Sequence, residues 1–128
     1  MPIKVVDASA LGALVFNEPA APRIASELQD AELTAPKLLR FELASICLKK
    51  IRTHPEQRDL LVTAYSMAHR LDISYSSVDF EKTIDLAEKT NLTLYDACYL
   101  WLANKLGAKL VTLDKQLLKQ SDTITKIT

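Results

Sequence analysis

Four acidic residues stand in company that does not suit them. Asp7 ends the run Ile3-Lys4-Val5-Val6, and the small helix formers Ala8-Ser9-Ala10 follow at once. Asp114 ends a similar run, Leu110-Val111-Thr112-Leu113. Asp96 is the only charge between Leu94 and Ala103. Glu42 lies four residues from both Leu38 and Ile46, a spacing that puts all three on one helix face. Each acid has a plain structural explanation. Asp is a favoured N-cap and suits the positive end of a helix, and a Glu at the edge of an apolar stripe can pair with a lysine on its own helix. Taken together the acids permit more. Carboxylates brought close repel and raise one another's pKa, and a divalent cation relieves the conflict. Ligation by oxygen alone suits Mg²⁺ or Mn²⁺ with water completing the shell, and such an ion can activate a water and stabilise charge on a phosphodiester oxygen. His54, beside Pro55 in a chain break, and His69, in a helical stretch, read as surface residues rather than catalysts.

The elements that must position these acids follow from the apolar periodicity. A short buried strand ends at Val6, Asp7 makes the turn, and a helix runs to about Phe16, with Gly12 tolerable where something packs close. Asn17-Glu18-Pro19 breaks it, and Pro22 fits the first turn of a second helix carrying Ile24, Ala25 and Leu28. Leu33-Thr34-Ala35 is a strand closed by Pro36, and a long helix spans about Lys37 to Arg52. Thr53 with Glu56 reads as a capping box that restarts a helix carrying Leu60, Leu61, Ala64, Tyr65, Ala68 and Leu71. Leu60, Leu61, Tyr65 and Leu71 suit either the core or a partner surface. Ile73 to Val78 is a strand; Asp79 caps a helix that Asn91 ends; Thr93 starts an apolar helix that Gly107 ends. Tyr99 and Trp101 on that helix read as core. Lys109 to Leu113 is a strand, a short helix carries Leu117 and Leu118, and Ile124-Thr125-Lys126-Ile127 reads as a last edge strand.

Strands alternating with helices predict a parallel sheet covered on both faces: a three-layer α/β/α domain of about five strands. Ligands in such sheets collect beyond the carboxyl ends of the strands, where Asp7 and Asp114 stand. If the first and fourth strands are neighbours, Asp7, Asp96 and Asp114 converge at one sheet edge, and the Glu42 helix can reach it. Thr112 points to the same side as Asp114 by strand alternation.

Bulk properties narrow the function. A length of 128 residues fits one domain, residues 1–128. Sixteen basic and sixteen acidic side chains cancel, so no global field draws the chain onto nucleic acid or an anionic membrane. Any such binding must use a local patch or a bound cation. Lys37, Arg40, Lys49, Lys50 and Arg52 crowd the Glu42 helix and offer such a patch, or simply a solvated face. No apolar run reaches the length of a membrane span, and the N-terminal apolar stretch, interrupted at Lys4 and Asp7, is not expected to be a signal peptide. Cys47 and Cys98 show neither metal-ligand spacing nor a disulfide framework, which fits the reducing cytoplasm.

The four acidic motifs, in order and register, resemble the PIN-domain nucleases, specifically the VapC-type toxins of toxin–antitoxin operons. The carriers are Val6-Asp7-Ala8-Ser9-Ala10, Phe41-Glu42-Leu43-Ala44, Leu92-Thr93-Leu94-Tyr95-Asp96-Ala97 and Leu110-Val111-Thr112-Leu113-Asp114, and the likeness covers essentially the whole chain. The resemblance implies a parallel five-stranded sheet of order 3-2-1-4-5. It implies a metal-dependent endoribonuclease in which Asp7, Glu42, Asp96 and Asp114 hold Mg²⁺ or Mn²⁺, with Ser9 and Thr112 as supporting hydroxyls. It also implies a homodimer and a cognate antitoxin that blocks the site. Unstacked RNA fits better than duplex, since sequence readout in RNA favours splayed bases. Two other classes compete. One is a PIN fold serving only as an interaction module. The other is a phosphohydrolase or phospho-acceptor domain, which fits poorly because Ser9 stands where such phosphatases place a second Asp.

Overall fold

The computed structural model describes residues 1–127, with side chains described through Asp122. Strand β1 (Ile3–Val6) leads into α1 (Ala8–Val15) and α2 (Ala21–Leu28). Strand β2 (Glu32–Pro36) is followed by α3 (Leu38–Thr53) and, after a 3-10 turn at Pro55–Gln57, by α4 (Arg58–Met67). Strand β3 (Ile73–Ser76), α5 (Phe80–Thr90), α6 (Leu94–Leu106), β4 (Lys109–Val111) and α7 (Lys115–Ile127) complete the chain.

The sheet is parallel throughout, with order β3-β2-β1-β4. β1 is therefore central, flanked by β2 and β4, and the first and fourth strands are neighbours as the convergence of the acids requires. Val5 and Val6 are fully buried, and Leu110 and Val111 beside them nearly so. A strand covered on both faces reads as a continuous apolar run, which is what Val5-Val6 and Leu110-Val111 supply. Helix α6 crosses β1, β2 and β4 and is flanked by α5 and α7, while α1 to α4 form a second packed group. The helix is apolar on nearly every side because Ala97, Cys98, Tyr99, Leu100, Leu102 and Ala103 are all buried. Gly12 has its reason in packing. A Cβ there would stand 3.3 Å from Ile46 Cδ1, so α1 and α3 approach closely at this point.

Local capping agrees with the sequence at four places. Asp79 accepts from Lys82 N, and the hydroxyl of Thr93 accepts from Asp96 N. Asn91 (φ 58°) and Gly107 (φ 60°) close their helices in the left-handed conformation. Three expectations are corrected. Thr53 is the last residue of α3 and donates to Lys49 O, so it forms no capping box with Glu56, and the chain restarts through Pro55 without a side-chain cap. Pro at the first turn already supplies the fixed φ that the restart needs. β4 ends at Val111 rather than Leu113 because Thr112 and Leu113 turn away from the ladder to bond with Asp7, Ser9 and Asp114. Among the described residues the sheet has four strands, not five. The stretch 124–127, expected as the fifth, falls within the span of α7, and its side chains lie outside those described. The three-residue spacing of Ile124 and Ile127 suits a helix face better than strand alternation.

Candidate metal centre

The register Val6↔Val111 brings the ends of β1 and β4 level, so Asp7 and Thr112 leave the sheet side by side. Asp7 N still donates to Val111 O at 3.2 Å, one rung beyond the strand. Asp7 is 4% exposed. Its Oδ1 accepts from Ala10 N at 2.9 Å, which caps α1, and from Ser9 Oγ at 2.7 Å. Its Oδ2 accepts from Thr112 Oγ1. Each hydroxyl also accepts a backbone N–H: Ser9 Oγ from Leu113 N and Thr112 Oγ1 from Asp114 N, both at 3.0 Å. Two hydroxyls thus stitch the turn after β4 to the turn after β1, and they fix where Asp114 begins. Asp114 Oδ1 accepts from Leu117 N at 2.9 Å and caps α7. The cap and the ligand readings of Asp7 and Asp114 are compatible, because capping occupies one oxygen of each.

Asp96 sits in the first turn of α6, half-buried, its backbone fixed by Thr93. Glu42, on α3, is also half-buried, and its partner is not a lysine. Tyr99 Oη donates to Glu42 Oε1 at 2.6 Å. The Tyr99 ring belongs to the core, as its neighbours predict, and is 1% exposed. The sequence did carry a clue to the hydroxyl: a buried Tyr needs a partner for its O–H, and Tyr99 stands three residues from Asp96 on the same helix face.

Electrostatics bind the four acids into one group. Burial raises the pKa of Asp7; hydrogen bonds from Thr112, Ala10 and Ser9 oppose this, and Asp114 adds to it. Burial also raises Glu42, against the Tyr99 bond, with further push from Asp96 and Asp7. Asp96 is raised by burial and then by Asp114 and Asp7. Among the described residues, the charges that shift these three carboxylates are those of the other acids. A donor set of oxygens alone fits a hard divalent cation. Among the described residues no three such side chains already close into a ligand cage.

The cationic candidates divide. Lys50 is paired with Glu18 at 3.2 Å and lies over the Phe16 ring. Arg40, exposed, lies over the Tyr75 ring at 5.6 Å. Lys37, also exposed, lines a cavity of about 230 Å³ with Pro36, Leu38, Ser76, Ser77, Val78 and Phe80. Lys49 lines a cavity that Glu42 itself borders. Of the suggested partner residues on α4, Leu61 is core and Tyr65 packs against it, whereas Leu60 is 70% exposed.

A parallel sheet with acids at the ends of adjacent strands, joined by one from each of two helices, defines a class of acidic-site α/β domain. Residues 4–122 match the PIN domain family, and the chain belongs to it. A ribonuclease VapC3 from Pyrobaculum aerophilum is 37% identical to this chain, covering 88% of it and 90% of the relative. The crystal structure of PAE2754 from the same organism superposes with a TM-score of 0.74 at 21% identity, covering 98% of this chain and 88% of that one, which establishes the fold.

Proposed function

We propose that this protein is a metal-dependent endoribonuclease of the VapC type, the toxin of a toxin–antitoxin pair, with Asp7, Glu42, Asp96 and Asp114 as its catalytic and metal-holding residues. What carries the reading is that adjacent strands β1 and β4 end level, with Asp7 and Asp114 tied together through Thr112, and that Glu42 and Asp96 lie close enough to couple to them. The arrangement is costly unless a cation completes it. When bound, Mg²⁺ or Mn²⁺ supplies a water of lowered pKa and stabilises charge on a phosphodiester oxygen.

The chain's own residues do the rest. Ser9 and Thr112 hold Asp7 by both oxygens, so its carboxylate cannot swing away. Tyr99 holds Glu42 by Oε1. With Oε1 engaged by Tyr99, the other oxygen of Glu42 takes the proton of the attacking water. The water oxygen bonds to phosphorus as the bond to O3′ breaks, and the departing O3′ takes a proton from solvent, leaving a 5′-phosphate and a 3′-hydroxyl. Lys37 and Arg40 offer contacts to RNA phosphates near the carboxyl end of β2. The exposed apolar residues Leu60 and Met67 on α4 are area that a second copy or the antitoxin would cover. Among the described residues no helix is long and apolar enough to cross a membrane. A cytoplasmic location belongs to the proposal through the likeness to a VapC ribonuclease.

The phospho-acceptor alternative finds no support, since Lys4 donates to Glu27 O and the charges coupled to Asp7, those of Asp114, Glu42 and Asp96, are all negative. The test is cleavage of single-stranded RNA with Mn²⁺, with EDTA, and with Asp7→Asn. Cleavage that survives either EDTA or the substitution refutes the proposal.

A further inference from the structure

Phe41 and Tyr95 each immediately precede one of the acids, Glu42 and Asp96, and both rings are left in water. Phe41 is 70% exposed and Tyr95 57%. One exposed ring needs no explanation, but these two share an open cavity of about 260 Å³, lined by Phe41, Glu42, Ser45, Ile46, Lys49 and Tyr95. The cavity joins α3 to the start of α6 and is bordered by Glu42, one of the four acids. It therefore combines two aromatic faces, one ammonium group and the edge of the catalytic centre.

Each component matches part of a nucleotide. Aromatic rings accept the face of any base by stacking, and the ammonium of Lys49 suits a phosphate. Lys50 cannot share that task, because Glu18 holds it. A protein partner is a worse match. The centre of a protein–protein interface is depleted of charge, whereas Glu42 and Lys49 both open onto this cavity. We infer that this cavity receives one unpaired base of the RNA next to the bond being cut, stacked on Phe41 and Tyr95, with Lys49 paired to a neighbouring phosphate. The inference rests on the ribonuclease reading of the adjoining acids, and it adds a physical reason for single-stranded substrate: a base inside a duplex offers no face to stack.

The test compares two fluorescein-labelled strands of equal length by anisotropy in the presence of Ca²⁺, one an oligoribonucleotide of mixed sequence, the other abasic throughout. The wild-type protein prefers the strand with bases by about tenfold or more, the typical worth of one base–aromatic stack. Phe41→Ala with Tyr95→Ala removes the preference, and so does Phe41→Leu with Tyr95→Leu, which keeps apolar bulk but not the flat ring. Tyr95→Phe retains it, as does Ile84→Ala, a change at an exposed apolar residue on α5. Wild-type binding with no preference between the strands, or a preference that survives both double substitutions, overturns the stacking site and leaves the ribonuclease reading intact. A double variant that keeps the preference but changes mass in light scattering assigns the rings to a protein contact, which also overturns it. Failure of the wild-type protein to bind or cleave any single-stranded RNA overturns the inference together with the reading beneath it.

Discussion

Replacing Tyr99 by Phe deletes one oxygen and nothing else. The ring stays in the core, where it is 1% exposed, so the substitution opens no cavity of consequence. What disappears is the 2.6 Å hydrogen bond to Glu42 Oε1. A bond to an ionised acceptor contributes about 1.5–3 kcal/mol, and because half-buried Glu42 regains some water, about 1–2 kcal/mol is the expected loss. For a domain of this size that lowers Tm by roughly 4–8 °C. The loss also has a pH signature. Tyr99 favours the charged form of Glu42, opposing the larger effect of burial, so its removal lifts the Glu42 pKa further. The bond's contribution is then full well above that pKa and shrinks as pH falls through it. Thermal melts of both proteins without metal, at about pH 7.5 and about pH 5, should show a gap that narrows at the lower pH. RNA cleavage should fall with KM little changed, because Glu42 is loosened and not removed. Equal destabilisation at both pH values would assign Tyr99 to packing alone and refute the reasoning; unchanged Tm at both would refute the bond.

Further outcomes follow from the same contacts. Asp7→Asn keeps the acceptor that caps α1 but imitates the neutral form that burial already favours, so Tm without metal rises by roughly 2–5 °C while cleavage falls about a hundredfold or more. Thr112→Val removes the donor to Asp7 and leaves Asp114 N without its acceptor, costing about 2 kcal/mol in a urea titration. The metal-free wild type has three acids raised in the folded state, so their contribution to stability declines as pH rises. The window opens at the unfolded values, 3.8 for Asp7 and Asp96 and 4.5 for Glu42, and closes above their folded ones. Urea midpoints across that window should drop with rising pH, and saturating Mn²⁺ should flatten the trend.

What the sequence made legible was mostly local. Asp79, Asn91, Thr93 and Gly107 announce helix ends because capping acts over three or four residues, and each does so in the structure. Val5-Val6 and Leu110-Val111 announce buried parallel strands for the same reason, and the family resemblance supplied their adjacency. Long-range partners were not legible. Glu42 looked like one half of a surface ion pair, yet its partner is a tyrosine 57 residues away that periodicity had assigned to the core. Thr53 with Glu56 had the spacing of a capping box, but Thr53 completes the preceding helix and turns its hydroxyl back to Lys49. The expected edge strand at the C-terminus failed where a capped helix, anchored by Asp114 on Leu117 N, extends through residues of weak strand pattern. The exposure of Phe41 and Tyr95 had no signature at all, because an aromatic beside an acid can face core or water until the fold assigns its side.

Crystals soaked in Mn²⁺ and measured at the manganese absorption edge would locate the ion without reference to activity. The account predicts one anomalous peak at the carboxyl ends of β1 and β4, bonded to an oxygen of Asp7 and to at least one of Asp96 and Asp114, and absent from Asp7→Asn crystals. A peak elsewhere, or none among these carboxylates at saturating Mn²⁺, would contradict it.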